Sequence, residues 1–279
     1  MIVVVAARED EVGHVQARLG ELGEVGDFNG LTVAVKAVGG GRSLVLATVA
    51  DHDQAEHLAT ALRGEGALAV VRPEAGPRLD GWMRHTEPIR FGARLTVCFA
   101  WAEHDRAGLP GLIELGPGGF GNGGHPTTRL LVELLIERFG GGERVLDVGC
   151  GSGVLGLCAL ELGASHVTAV DLKPEAIAAT QRNAVLNGVG SRLEATVAPL
   201  ATIEDGFDVI VANIGRGATV ELAPQLVRLL APGGWIAVSG ISPPQCSLVA
   251  GFLRPLCEVE QRISGEWAVS VLAHGDPER

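Results

Sequence analysis

The sequence predicts an α/β protein in which a small α+β domain precedes a larger domain built on a parallel sheet. The chain has 279 residues, more than one average domain needs. Residues 1–73 run in the order strand, helix, strand, strand, helix, strand, and from Thr127 onward helices and strands alternate. Apolar residues make up 47% of the chain, so the sequence has enough apolar material for a substantial core.

The predicted first domain, residues 1–73, has the element order of a ferredoxin-like fold. Its strands are short runs rich in β-branched residues, and its two helices carry valine or leucine at helical spacing with glycine near the end. Three consecutive glycines at 39–41 predict a hairpin. We expect strands at 2–7, 31–38, 43–50 and 67–73, and helices at 9–23 and 52–66.

Residues 74–115 are predicted to form a linker that contains two short strands, at 95–102 and 112–115. The second domain, residues 116–279, opens with a glycine-dense loop that ends at Gly124. Alternating helices and strands then predict a parallel sheet covered on both faces, which is a Rossmann-like arrangement. We expect helices at 128–139, 154–163, 174–188 and 218–230, and strands at 144–153 (running into a turn), 166–171, 207–214, 233–240 and, as an antiparallel edge, 267–275.

The balance of charged residues limits the classes of binding partner that we expect. The chain carries 22 basic and 33 acidic residues, a formal net charge of -11, so direct nucleic-acid binding is not expected and a basic partner protein or a small molecule fits better. Five cysteines at irregular spacings predict reduced thiols in a cytoplasmic protein, with no metal site. The first residues lack the pattern of a signal peptide, and no membrane span is expected.

The turn after the first strand of the parallel sheet is the most informative motif. Gly149, Gly151 and Gly153 let the backbone approach a ligand closely, and the helix that follows presents free N–H groups. Asp171 ends the next predicted strand, where a carboxylate can accept both hydroxyls of a ribose. The alternatives are a purely structural turn for the glycines and a helix N-cap for Asp171.

The G-x-G-x-x-G pattern that begins at Gly151 also fits a nicotinamide dinucleotide, but three features favour S-adenosylmethionine. Asp147 lies two residues before the first glycine, where a carboxylate suits a cofactor that carries a sulfonium and an α-ammonium group. Asn213 ends a later strand, at the edge where open α/β sheets bind ligands. The sequence Leu-Ala-Pro-Gly-Gly at 230–234 is typical of the turn before a late strand in methyltransferases.

The segment from Phe120 to Thr128 reads F-G-N-G-G-H-P-T-T and resembles the F-G-T-G-x-H-x-T-T signature of the PrmA family, which methylates a ribosomal protein. Trp82 is similar to the tryptophan in that family's linker. The resemblance extends over the turn at 147–153, N-A-x-x-N-G at 183–188, V-A-N-I at 211–214 and G-E-W at 265–267.

The resemblance implies a class I methyltransferase that uses S-adenosyl-L-methionine to methylate a nitrogen, a lysine or an α-amine, of a basic ribosomal protein. It implies that the first domain recognises this substrate. Thr128 would bind the methionine end of the cofactor, and Asn213 would face the methyl group. The cofactor positions implied are Thr128, Gly149, Asp171 and Asn213.

Methylation of an amine requires a neutral nitrogen, because an ammonium group has no lone pair. The amide oxygen of Asn213 can hold such an amine, and His125 can take its proton at neutral pH, or His125 only pins its loop by hydrogen bonds. Asn122, where the family has threonine, favours a turn role over contact with the acceptor. Gly215 and Arg216 also depart from the family, which has a bulkier apolar residue after the isoleucine.

Three other functions fit the same residues. One is a small-molecule N- or O-methyltransferase of the same fold, in which the first domain is a lid. Another is a non-catalytic protein that binds an adenosyl ligand, motivated by the altered glycine loop. A nicotinamide-dependent dehydrogenase remains as a third and would require NAD binding.

Overall fold

The computed structural model describes residues 1–25, 31–39, 41–72, 87–102, 105–116, 121–204 and 206–275. The chain divides into two compact units, residues 1–88 with 98–117 and residues 89–97 with 118–279. Predictions made for Gly40, Trp82, Phe120 and residues 117–119 lie outside the described residues.

The first unit contains a four-stranded antiparallel sheet, as predicted. The elements are β1 (Ile2–Arg8), α1 (Val12–Val25), β2 (Thr32–Gly39), β3 (Arg42–Thr48), α2 (His52–Gly64) and β4 (Leu68–Arg72). The strand order is β2-β3-β1-β4, with β1 paired to both β3 and β4. Helix α2 begins where Asp51 accepts a hydrogen bond from the backbone N–H of Gln54 (2.8 Å). The two helices pack on one face of the sheet around Val5, Leu19 and Leu58.

Three short strands follow, β5 (Ile89–Phe91), β6 (Leu95–Phe99) and β7 (Leu112–Leu115). The first two form an antiparallel hairpin within the second unit, from Ile89 opposite Val97 to Phe91 opposite Leu95. The sequence predicted β7 correctly and β6 three residues too long, and it did not predict β5. A strand of three residues is too short to show a period in the sequence.

The second unit is built on a seven-stranded sheet. Its helices are α3 (Pro126–Arg138), α4 (Val154–Glu161), α5 (Pro174–Leu186), α6 (Gly215–Leu229) and α7 (Cys246–Phe252). Its strands are β8 (Arg144–Val148), β9 (His166–Val170), β10 (Leu193–Thr196), β11 (Phe207–Asn213), β12 (Leu230–Ile241), β13 (Leu256–Ser264) and β14 (Trp267–His274). The spatial order is β10-β9-β8-β11-β12-β14-β13. The Rossmann-like prediction is therefore confirmed.

The predicted edge strand at 267–275 is antiparallel, but it is not at the edge. Strand β14 pairs with β12 on one side and with β13 on the other. The outermost strand, β13, was not predicted. It is mostly exposed, and its polar and charged residues do not alternate regularly with apolar ones, so the sequence shows no strand period there.

The order of the parallel strands places the site. Strand β8 lies between β9 and β11 and runs parallel to both. The chain leaves β8 towards β9 and β10 and returns on its other side as β11, so the direction of the connections reverses beside β8. Open α/β sheets bind ligands outside the carboxyl ends of their strands at such a switch point. Among the described helices, none is long and apolar enough to cross a membrane.

Candidate functional site

The turn that follows β8 lies at this switch point. Gly149, Gly151 and Gly153 have φ angles of +74°, +58° and +80°, which residues with a side chain rarely adopt. A Cβ atom on Gly149 would overlap Cγ2 of Ile214. Backbone conformation and close packing therefore both require glycine here, and the turn presents bare backbone where the sequence predicts a ligand.

Asp147 lies in β8 beneath the turn, and its side chain is completely buried. Its Oδ2 accepts a hydrogen bond from the backbone N–H of Gly156 (3.1 Å), in the first turn of α4. Gly153 is the N-cap of that helix and has no side chain to cap it, so Asp147 supplies the acceptor from the neighbouring strand. Burial raises the pKa of Asp147 to about 7, opposed by the hydrogen bond from Gly156 and reinforced by the charge of Asp171.

The second oxygen of this carboxyl group, Oδ1, has no hydrogen-bond partner among the described residues. A buried acceptor without a donor is costly, and a positive charge nearby favours the ionised form of a carboxyl group. A cationic cofactor above the turn fits this arrangement. Because Asp147 is completely buried, we expect its charge, and not a direct contact, to act on such a cofactor.

Asp171 follows the last residue of β9 and joins two backbone segments. Its Oδ2 accepts from the N–H of Gly151 (3.0 Å) and its Oδ1 from the N–H of Lys173 (3.0 Å). The N-cap of α5 is Lys173, so Asp171 does not occupy the N-cap position that the sequence left open. Its half-buried carboxylate lies beside the glycine turn, where the sequence predicts the ribose.

Two exposed apolar side chains lie near Asp171, and neither was predicted from the sequence to belong to the site. Leu172 is 93% exposed and Val197 is 50% exposed. Val197 directly follows β10, and Leu172 lies two residues after the end of β9. The two strands are adjacent and parallel, and Val170 is paired with Thr196. Large apolar side chains at a strand end without a covering element can pack on a flat apolar ligand group. A leucine directly after the strand-end acid was the signal available in the sequence.

Asn213, the last residue of β11, is held by two threonines. Its Nδ2 lies 3.1 Å from Oγ1 of Thr127 and 3.4 Å from Oγ1 of Thr128, and both threonines are buried. A Cβ atom on Gly240 would lie 3.3 Å from Oδ1 of Asn213, so glycine leaves room for the amide. The structure thus brings together Thr128 and Asn213, two of the positions that the resemblance implies, and it adds Thr127, for which the sequence predicted no role.

His125 is the N-cap of α3 and belongs to the same network. Its Nδ1 lies 2.8 Å from Oγ1 of Thr127, and its ring makes an edge contact with Trp267, with centroids 5.1 Å apart. This contact fits the structural role that the sequence left open, a histidine that pins its loop. When Nδ1 carries the ring proton and donates to Oγ1 of Thr127, Nε2 of this exposed ring holds the lone pair and is the atom that can accept a proton.

Two further polar residues of the site have structural contacts. Oδ1 of Asn122 accepts from the N–H of Gly124 (2.9 Å), which is the turn role that the sequence favours. Burial raises the pKa of the Cys150 thiol to about 12, and Thr180 Oγ1 lies 3.3 Å from its sulfur. A thiol with so high a pKa is a poor nucleophile. Among the described residues, no group of three His, Cys, Asp or Glu side chains could hold a metal ion.

The chemical character of the side chains therefore changes along the carboxyl edge of the sheet. Apolar side chains of Leu172 and Val197 lie at one end, the Asp171 carboxylate follows, and the glycine turn lies over the buried charge of Asp147. The amide of Asn213 lies at the other end. This order suits a ligand with a flat base, a ribose and a positively charged tail, presented to a polar acceptor.

Known proteins are similar to this chain over most of its length. The model of the family described as ribosomal protein L11 methyltransferase (PrmA) matches residues 48–274. A ribosomal protein L11 methyltransferase from Geobacter sp. (strain M21) is 40% identical over 209 residues, 72% of this chain and 67% of the relative. One from Hahella chejuensis is 42% identical over 180 residues, 64% of this chain and 61% of the relative.

A solved structure is also similar. The crystal structure of ribosomal protein L11 methylase from Lactobacillus delbrueckii subsp. bulgaricus is 31% identical, with a TM-score of 0.62. The match covers 68% of this chain and 99% of that one. The matched part of the chain thus spans about two thirds of the length of the curated relatives.

Proposed function

Because the chain belongs to the ribosomal protein L11 methyltransferase (PrmA) family, whose methyl donor is S-adenosyl-L-methionine, we propose that it methylates nitrogen atoms of ribosomal protein L11. The observation that carries this proposal is the network His125–Thr127–Asn213 beside the glycine turn. The three residues lie within the part of the chain that the family model matches, and Asn213 ends β11, the strand beside β8.

The residues around the turn would hold the donor along its length. Leu172 and Val197 would pack on the adenine, and the Asp171 carboxylate would accept hydrogen bonds from the ribose hydroxyls. The backbone of 149–153 would approach the methionine end, with Thr128 at its side. When bound, the donor supplies an electrophilic methyl group on its sulfonium.

The remaining polar groups would prepare the acceptor. The amide nitrogen of Asn213 is engaged by Thr127 and Thr128, so the amide oxygen is the group left to accept an N–H from an amine. An amine oriented in this way keeps its lone pair in line with the methyl group, and positioning of this kind accounts for much of the rate in displacement reactions. Nε2 of His125 would take the proton that the acceptor loses.

Charge supports a ribosomal protein as the acceptor. The chain has a formal net charge of -11, and residues 1–75 alone hold 6 basic and 11 acidic residues. An acidic surface attracts a basic protein and repels RNA. We propose that residues 1–73 recognise the substrate, and that the protein works in the cytoplasm, where ribosomal proteins are made.

The test is methylation of purified ribosomal protein L11 with isotope-labelled S-adenosylmethionine, followed by mass spectrometry of the modified residues. The expected result is label on amine nitrogens of L11, lost with Asn213→Ala. Label on metabolites but not on L11 would replace the proposal with a small-molecule methyltransferase. Cofactor binding without transfer to any acceptor would replace it with a binding protein.

A further inference from the structure

Ser152 lies in the middle of the glycine turn, and its side chain bonds to a segment outside the turn. Its side chain is 2% exposed, and its Oγ donates a hydrogen bond to the carbonyl oxygen of Gly121 (2.5 Å). Gly121 precedes His125 by four residues and has a φ of +101°. The hydroxyl therefore joins the cofactor turn to the segment that leads into α3.

The backbone of the turn is fixed independently of this hydroxyl. Nδ2 of Asn183 donates to the carbonyl oxygen of Ser152 (2.8 Å), and Oγ1 of Thr180 donates to that of Gly151 (3.2 Å). Asn183 is itself tied to Asn187, whose Nδ2 donates to its carbonyl oxygen (2.7 Å). All three side chains come from α5 or its end. Removing the Ser152 hydroxyl would leave these contacts of the turn in place.

The segment that Ser152 holds continues into the acceptor side of the site. Residues 121–125 run from the Gly121 carbonyl through the Asn122 turn to His125, the N-cap of α3. From there the contacts pass through Thr127 to Asn213, at the end of β11. The next residue, Ile214, lies against Gly149 of the turn. Contacts thus form a closed ring around the switch point.

We propose that Ser152 is a positioning residue for methyl transfer, whose hydroxyl holds residues 121–125 against the cofactor turn so that His125 and Asn213 keep a fixed place relative to the donor. The inference rests on the proposed function, because it assigns the acceptor side to those two residues. The Ser152 hydroxyl acts through them and itself contacts neither donor nor acceptor.

Loss of the Ser152 hydroxyl should therefore affect the rate of methyl transfer more than the affinity for the cofactor. Ser152→Ala removes the hydrogen bond to the Gly121 carbonyl oxygen and so breaks one contact of the ring. The side chains of α5 continue to hold the backbone of the turn. We expect the affinity for S-adenosylmethionine to stay within about threefold of wild type and kcat to fall about tenfold, the size of effect that loss of one hydrogen bond gives.

The matched control is Ser165→Ala. Ser165 Oγ also donates to a backbone carbonyl, that of Glu143 (3.1 Å), but from an exposed position directly before β9. Ser152→Thr keeps a hydroxyl and serves as the rescue variant. All four proteins are compared by calorimetry with S-adenosylmethionine, by kcat and KM on ribosomal protein L11, and by hydrogen–deuterium exchange over residues 121–128.

The proposal is supported if Ser152→Ala shows faster exchange at 121–128 and a lower kcat while its cofactor affinity stays near that of wild type. Ser152→Thr should recover the wild-type exchange and kcat, and Ser165→Ala should change neither. Unchanged exchange and kcat in Ser152→Ala would overturn the proposal, as would a loss of cofactor affinity equal to the loss of kcat. If wild type does not methylate L11, the proposed function fails separately, and the exchange and affinity measurements still decide whether Ser152 couples the two segments.

Discussion

Replacing Asp147 with asparagine should remove a pH-dependent part of the stability. Burial raises the pKa of this carboxyl group from 3.8 to about 7, a difference of about 3 units. Since the folded state favours the protonated form, Asp147 contributes stability below pH 4 that is lost as the pH rises towards 7. At 1.36 kcal/mol per unit the full term is on the order of 4 kcal/mol, of which roughly 3 kcal/mol is lost between about pH 5 and about pH 8.

Asparagine keeps an oxygen that can accept from Gly156, and its own pH-independent cost cancels when the two pH values are compared. The assay is urea unfolding of both proteins without cofactor. The unfolding free energy of Asp147→Asn minus that of wild type should rise by roughly 3 kcal/mol from about pH 5 to about pH 8.

The control is Asp208→Asn, which removes an exposed carboxylate that also accepts one backbone N–H, from Arg144 (2.8 Å). Its difference from wild type should change far less over the same range, because an exposed carboxyl group is solvated in both states. A difference for Asp147→Asn that stays level with pH would refute the inference that this buried carboxyl group is uncompensated.

Three further substitutions test the site. Leu172→Ala should weaken S-adenosylmethionine binding about fivefold to tenfold with stability changed by less than about 0.5 kcal/mol, since the side chain is 93% exposed. Leu248→Ala, which removes an exposed leucine side chain of α7, is the control, and a wild-type affinity of Leu172→Ala by calorimetry would contradict the adenine contact. Asp171→Ala should weaken the same affinity by about 1.5–3 kcal/mol, and wild-type affinity would count against the ribose assignment. Asn213→Ala should lower kcat on ribosomal protein L11 and leave cofactor affinity largely intact; unchanged turnover would remove Asn213 from the transfer step.

The fold was predictable wherever a hydrophobic period is long or a strand is buried on both faces. Helix α5 and strands β8 and β11 fall within a few residues of their predicted bounds. Strand β10 has four residues and was missed, because so short a run gives no period. Helix α7 has seven residues and follows two prolines, which favour a turn in the sequence.

The site was predictable only in part, for a similar reason. Asp171 and Asn213 end strands of a parallel sheet, so the sequence alone places them at the ligand edge. The structure brings Asn213 within reach of Thr128. The roles of Thr127 and Ser152 depend on partners 86 and 31 residues away, and a hydroxyl gives no sign in the sequence of which distant group it will bond.

The glycine pattern alone fits two kinds of cofactor, and Asp147 is the residue that bears on the choice between them. A Cβ atom on Gly156 would lie 2.9 Å from Cγ1 of Val167, so this glycine permits close packing of helix on strand, a need that nicotinamide and methyltransferase sites share. Gly153, with φ at +80°, cannot cap the helix it begins. The Asp147 carboxyl group does so from the strand and leaves a buried ionisable group with one unpaired oxygen beneath the turn. A nearby pyrophosphate would oppose ionisation of this group and a nearby sulfonium would promote it, so we expect the residue that caps α4 also to favour a cationic donor.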